Sequence, residues 1–206
     1  MEVVKMRIAG VSPILMHNPA KLMGQEDTGS RKKKYDPREE AIAGLYELPD
    51  GQLYMKSDAF REAGIIAAGE FRDFSRKGRA SMTRMFSASV VLSTMHCPLF
   101  RPDTGEAITS DESDWTVDAR RVVLGPGKAV IRGRPLVEDW ACDLEFEYDE
   151  ELIQPDVIAK IMAASGKFPG VGDYRPGKKG PYGKYTVELL NGEVAEEKPA
   201  RKRRAA

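Results

Sequence analysis

Residues 166 to 185 read GKFPGVGDYRPGKKGPYGKY. Six glycines (Gly166, Gly170, Gly172, Gly177, Gly180, Gly183) and three prolines exclude regular helix or strand here. Lys167, Arg175, Lys178, Lys179 and Lys184 face a single acid, Asp173, in a chain whose 32 Lys and Arg balance 32 Asp and Glu. Phe168, Tyr174, Tyr182 and Tyr185 are interleaved with those cations. Glycines let a backbone approach a phosphate chain, cations neutralise it, and aromatic faces accept bases. A solvated surface loop can have the same composition. Gly172, Gly177 and Lys178 match the start of a triphosphate-binding loop, but Lys179 stands where Ser or Thr is required. The β-like KYTVELL follows where a helix is required.

Working outward, Val157, Ile158, Ile161, Met162 and Ala164 form an apolar stripe on a helix that opens at Pro155 and is expected to stop at Gly166. On the other side Tyr185, Val187 and Leu189 make a closing strand. Upstream, Trp140, Cys142, Leu144, Phe146 and Tyr148 alternate with Asp143, Glu145 and Glu147, the plainest strand in the chain. Val4, Met6 and Ile8 alternate with Val3, Lys5 and Arg7 over residues 2–9 in the same way. Phe60, Ala63, Ala67 and Phe71 predict a helix over 58–73, capped by Ser57 or Asp58. Phe86, Ala88, Val90 and Leu92 read as a strand, and GLYEL and QLYM around Pro49-Asp50-Gly51 as a hairpin. GVSPILMHNP reads as a turn ending at His17, and residues 25–39 as an aperiodic loop. A second hairpin, VDARRVVL-GPG-KAVIRGR, is basic on both arms through Arg120, Arg121, Lys128, Arg132 and Arg134.

The order is β-α-β, insertion, β-α-β. It predicts an α+β fold of the ferredoxin-like kind: a four-stranded antiparallel sheet with two helices on one face. One domain spans residues 1–192, with insertions at about 18–56 and 95–135 and a basic, disordered tail at 193–206. The two alternating strands become central neighbours, setting Lys5 and Arg7 opposite Asp143, Glu145 and Glu147. That open face is acidic and lacks aromatics, so nucleic acid is expected on loops and hairpin instead of on the sheet.

With 41% apolar residues the chain can bury a core. Cys97 and Cys142 are too few for a disulfide scaffold, which points to a reduced, cytoplasmic setting. MEVVKMRIAG carries charges where a signal peptide needs an apolar core, and no run approaches membrane-spanning length, so no membrane partner is expected. Further cationic clusters stand at Arg31, Lys32, Lys33 and Lys34, and at Arg76, Lys77 and Arg79.

These pieces together resemble the RAMP superfamily, above all the backbone subunit of CRISPR effector complexes and its stand-alone phage relatives. Three features carry the resemblance over roughly residues 1–190. They are the glycine-rich loop between the second helix and the last strand, the strand-then-helix segment LYMKSDAFREAGIIAAGEF, and the hairpin with Gly125-Pro126-Gly127, which is similar to the family's thumb. The resemblance implies sequence-independent binding of single-stranded nucleic acid, RNA before DNA. It also implies head-to-tail assembly with further copies and other effector subunits. No cofactor is expected. Expected contacts are Arg31, Lys32, Lys33, Lys34, Arg76, Lys77, Arg79, Arg120, Arg121, Lys128, Arg132, Lys167, Arg175, Lys178, Lys179 and Lys184, with Tyr174 and Tyr182 as stacking residues or as anchors of the loop.

Some members of the superfamily cleave RNA without metal, using a histidine, a tyrosine and a lysine. His17 is the candidate base here, with His96 a weaker one, and the opposed reading is a structural turn histidine. Asp27, Asp36 and Asp173 are candidate ligands for a metal nuclease. Binding without catalysis is the expectation. A third reading, a homopolymer-forming interaction protein, draws on the acidic loop at Asp111, Glu112 and Asp114.

Overall fold

The computed structural model describes residues 1–19, 35–71, 81–125 and 127–190, the side chains of Leu124 and Lys128 excepted. The expected contacts Arg31, Lys32, Lys33, Lys34, Arg76, Lys77, Arg79, the Lys128 side chain, the candidate ligand Asp27 and the tail at 193–206 lie outside the described residues.

Alternation of apolar and charged residues makes β1 (Glu2–Gly10) and β8 (Ala141–Tyr148) the centre of a four-stranded sheet. Its order is β4 (Val90–Leu92), β8, β1, β9 (Tyr185–Leu189), and every pair is antiparallel. The register sets Lys5 opposite Glu145 and Arg7 opposite Asp143. Val4, Met6 and Ile8 on β1 and Cys142, Leu144 and Phe146 on β8 are fully buried on the other face. Against that face lie α2 (Ser57–Ala68) and α4 (Pro155–Lys167), which contribute Phe60, Ala63, Ala67, Ile158, Ile161 and Met162 to the core. Cys97 and Cys142 are free and buried in this core, where burial and then contact with Cys97 push the Cys142 thiol well up.

Several expectations give way to packing. Residues 86–89, read as the start of a strand, belong instead to α3 (Thr83–Ser89), and extended chain begins only at Val90. Met82, Phe86 and Ser89 are buried at helical spacing, so a four-residue alternation loses to a seven-residue stripe. Helix α2 ends at Ala68 instead of residue 73, and neither Ser57 nor Asp58 caps it. Lys56 holds the cap position, while the Ser57 hydroxyl turns away to donate to the Thr94 carbonyl. Gly166 does not stop α4, which runs on to Lys167. A Cβ at Gly166 would lie 2.1 Å from the Tyr185 carbonyl oxygen, so this glycine lets helix and β9 touch.

The first insertion holds α1 (Pro37–Ala43) where an aperiodic loop was expected. Asp36 accepts from the Arg38 amide at 2.9 Å as N-cap, and Pro37 opens the first turn. The turn at Pro49-Asp50-Gly51 forms, closed by the Glu47–Leu53 bridge. GLYEL and QLYM pair across it, Leu48 donating to Gln52 O at 2.8 Å and Tyr54 to Tyr46 O at 3.0 Å, and β3 (Tyr54–Lys56) also pairs with β5 (His96–Pro98).

The long hairpin is β6 (Thr116–Gly125) and β7 (Lys128–Val137), with a register shift between Val123 and Gly125. Its base is extended by β2 (Ile14–Leu15), two residues read as turn, which pair with Leu136 and Val137. Among the described residues no helix is long and apolar enough to cross a membrane.

Candidate nucleic-acid interface

The glycine-rich loop folds onto itself and onto β2. Val171 donates to Gly183 O (3.0 Å), Gly183 to Pro13 O (2.8 Å) and Asp173 to Leu15 O (2.8 Å). A short 3-10 turn spans Pro176–Lys178. At Gly183, φ is +65° and a Cβ would stand 1.7 Å from the Val171 carbonyl oxygen, so no other residue fits. Tyr174 and Lys179 adopt positive φ as well, at 47° and 62°. A loop whose amides are spent on its own framework holds a defined shape, and that shape fixes where its side chains emerge.

Two arginines of the hairpin fasten this loop. Arg120 grips Asp118 through Nε (2.6 Å) and Nη2 (2.7 Å), and Nη2 also donates to the Tyr182 hydroxyl at 2.7 Å. Its Cζ lies 5.0 Å from the Tyr174 ring centroid and 5.1 Å from that of Tyr182. The two rings meet edge to face, 6.2 Å apart. Arg134 pairs with Asp173 at 2.7 Å. The two tyrosines therefore anchor the loop to the hairpin, with the Tyr174 side chain still 37% exposed.

The hairpin's positive charge is smaller than its composition implies. Arg132 pairs with Glu40 at 2.8 Å. Burial acts to raise the Glu40 carboxyl, but hydrogen bonds from Tyr35, the Gly133 amide and Arg132 outweigh it and hold Glu40 below its ordinary value. Burial and the same carboxylate push the Tyr35 hydroxyl up to about 12. Together they clasp α1 to β7. Arg120, Arg132 and Arg134 are thus neutralised near the base. Arg121 on β6 is exposed and ion-pairs with no described residue. Lys167, Lys178, Lys179 and Lys184 are likewise exposed without an ion pair among the described residues, and Arg175 is half-buried, donating to Gly172 O at 3.2 Å.

The open sheet face is closed to this chemistry by its own pairs. Lys5 meets Glu145 and Arg7 meets Asp143, both at 2.9 Å, and Arg7 also lies over Phe100. The acidic loop is spent internally too. Asp114 accepts from Thr109 and from Arg101, which outweigh burial and hold its carboxyl low, and Glu112 pairs with Arg38. Of the described candidate metal ligands, Asp36 caps α1 and Asp173 holds Arg134. Among the described residues no three His, Cys, Asp or Glu side chains converge as a metal site.

His17 is exposed at the lip of a cleft of about 500 Å³ between β2, α2 and the glycine-rich loop. Tyr46, whose hydroxyl donates to the His17 carbonyl at 2.8 Å, and Lys56, 5.4 Å from the Tyr46 ring, line the same cleft. His96 stands opposite Lys56 across the β3–β5 ladder, against the Tyr54 ring, outside the cleft lining. Tyr46 and Lys56 had no local signature in the sequence, since each reaches the cleft from a different element. The Asp118–Arg120 pair did have one: residues two apart on a strand share a face.

No protein-family model matches the chain, and no curated protein matches it in sequence. Among solved structures it is similar to Cmr6 from Pyrococcus furiosus, at 10% identity over 91% of this chain and 98% of that one, with a TM-score of 0.44. At that identity and score the likeness assigns neither fold family nor activity.

Proposed function

We propose that this chain binds single-stranded nucleic acid, RNA before DNA, without reading its sequence, as a repeating RAMP-type subunit of a CRISPR-type ribonucleoprotein or filament. In this reading the sheet order β4-β8-β1-β9, with α2 and α4 on one face, is a ferredoxin-like unit, the β6–β7 hairpin is its thumb, and residues 168–184 are its glycine-rich loop. The observation that carries the reading is the joining of loop to hairpin through Arg120 and Arg134. It holds Lys178, Lys179 and Lys184, exposed and without an ion pair among the described residues, on a loop fixed to the hairpin, while Arg121 stands on the hairpin's other face and the sheet face neutralises itself.

Self-assembly is supported by two apolar surfaces. Val123 and Ile131 are 68% and 55% exposed on one face of the hairpin. Ile66 and Phe168, 53% and 65% exposed, line a groove between α2 and the glycine-rich loop.

The test is binding of a fluorescent oligonucleotide across a salt series. Because each single-strand phosphate contact contributes a slope of about 0.7 in log affinity against log salt, changing Arg121, Lys178, Lys179 and Lys184 together to alanine should flatten the dependence by about 3. An unchanged slope and affinity overturn the reading.

A second reading is metal-independent RNA cleavage. One observation favours it: the same cleft is lined by His17, Tyr46 and Lys56, a base candidate, a hydroxyl and a cation. RNA cut in the presence of EDTA by the native protein, and left intact by His17→Ala, would establish it.

A further inference from the structure

The cleft beside the glycine-rich loop has features that neither phosphate tracking nor folding accounts for. Its floor is apolar and buried, built from Leu15, Met16, Met55 and Val171. One wall carries the Tyr46 ring with the Lys56 ammonium 5.4 Å from its centroid, and Lys56 ion-pairs with no described residue. Its volume of about 500 Å³ falls within the range of small-ligand sites. Asp58 and Glu62, one turn apart on α2, line the cleft as well, and neither finds a cation among the described residues. Like charges at that spacing disfavour the helix. Asp58 has a reason to be there in the positive end of α2, but Glu62, in the second turn, has none.

We propose that this cleft receives one unstacked nucleobase of the bound strand and favours bases that carry an exocyclic amine. The proposal rests on the nucleic-acid reading above, adds a site to it, and replaces its indifference to base identity at that one position with a preference. An aromatic ring and an apolar floor take up a flat heterocycle whatever its identity. Lys56 and Arg175 at the rim face the flanking phosphates. Asp58 and Glu62 are acceptors without donors. Cytosine N4, adenine N6 and guanine N2 supply amine donors to them, as carboxylates accept from cytosine N4 elsewhere, whereas uracil has only its N3 imino proton, set between the O2 and O4 acceptors that the carboxylates repel. Arg175 lines this cleft and also the neighbouring groove that holds Lys178, so a strand tracked by the loop's cations runs past the opening.

The experiment is fluorescence anisotropy with oligo(A), oligo(C), oligo(U) and an abasic strand of equal length, on the native chain and on D58N/E62Q. Thermal melting of both proteins controls for folding, and these exposed positions leave the core untouched. Native protein should bind oligo(A) and oligo(C) about tenfold tighter than oligo(U), and the abasic strand more weakly than any. In D58N/E62Q the loss of two negative charges raises the affinity for every strand, and the preference over oligo(U) disappears. Equal binding of abasic and intact strands by the native protein overturns the base pocket while leaving the electrostatic reading standing. A preference that survives in D58N/E62Q overturns the role of the two carboxylates. Failure to bind any strand overturns the nucleic-acid reading, and the pocket with it.

Discussion

Replacing Arg120 by alanine should loosen the glycine-rich loop from the hairpin and destabilise the fold by about 2 to 4 kcal/mol. The guanidinium makes two hydrogen bonds to Asp118, one to Tyr182, and lies about 5 Å from two tyrosine rings. A hydrogen bond to a charged group contributes about 1.5–3 kcal/mol, and each cation–π contact about 0.5–1 kcal/mol where water still reaches it. These overlap on one side chain and do not add fully, which sets the upper end. Arg120 is 32% exposed and Asp118 14%, so removing the arginine also leaves a largely buried carboxylate without its partner. Arg120→Lys keeps the charge but not the fork, and should lose about half as much. Urea unfolding reads the change as a fall in midpoint of about 1–2 M for a slope of about 2 kcal/mol per M. Hydrogen exchange adds the location: amides of residues 170–184 should open faster, while those of β1 and β8 shift only by the global amount. An R120A protein within 0.5 kcal/mol of the native one, with unaltered exchange in the loop, would refute the anchoring role of Tyr174 and Tyr182.

Glu40→Gln should destabilise by about 1–3 kcal/mol at neutral pH, because the Gly133 amide and Arg132 lose a charged acceptor. Glu40 has a folded pKa below its ordinary value of 4.5, so its contribution is full above that value and is lost as pH falls through the folded one. The native and E40Q proteins should therefore converge in thermal stability only once the pH has fallen well below 4.5 and through the lowered pKa of Glu40, and a gap that persists in acid would show the carboxylate charge to be irrelevant. Gly166→Ala should destabilise by 3 kcal/mol or more, of the order of a severe core overpacking, since its methyl would meet the Tyr185 carbonyl at 2.1 Å. A melting temperature equal to native would mean that α4 and β9 can part without loss.

The parts of the fold legible in sequence are those whose neighbours along the chain already encode a face. Period two over eight or nine residues makes β1 and β8 strands, and the charged halves of those patterns meet as Lys5–Glu145 and Arg7–Asp143 because antiparallel pairing leaves them opposite. Helix α4 is legible through Pro155 and the Ile158, Ile161, Met162 stripe. Helix α1 was legible in principle through Asp36, Pro37 and two glutamates in its first turn, a capping signal masked by the charged run before it. Residues 83–92 were not, since four alternating residues fit a strand and a helical stripe equally well until Met82 and Phe86 find a core to enter.

For the candidate interface the division falls elsewhere. Composition marks the glycine-rich loop and the hairpin as cationic, and local charge counting goes no further. Asp118 neutralises Arg120 from two residues away, but the other pairings depend on partners far apart in sequence: Glu40 takes Arg132 and Asp173 takes Arg134. The cleft of His17, Tyr46, Lys56 and Glu62 draws its walls from β2, β3, α2 and the loop, none of which carries a pattern pointing to the others. Strand and helix faces follow from periodicities of a few residues, which the chain states locally. Charge neutralisation and concavity are properties of side chains brought together by loop closure over tens of residues, and they exist only once the chain has folded.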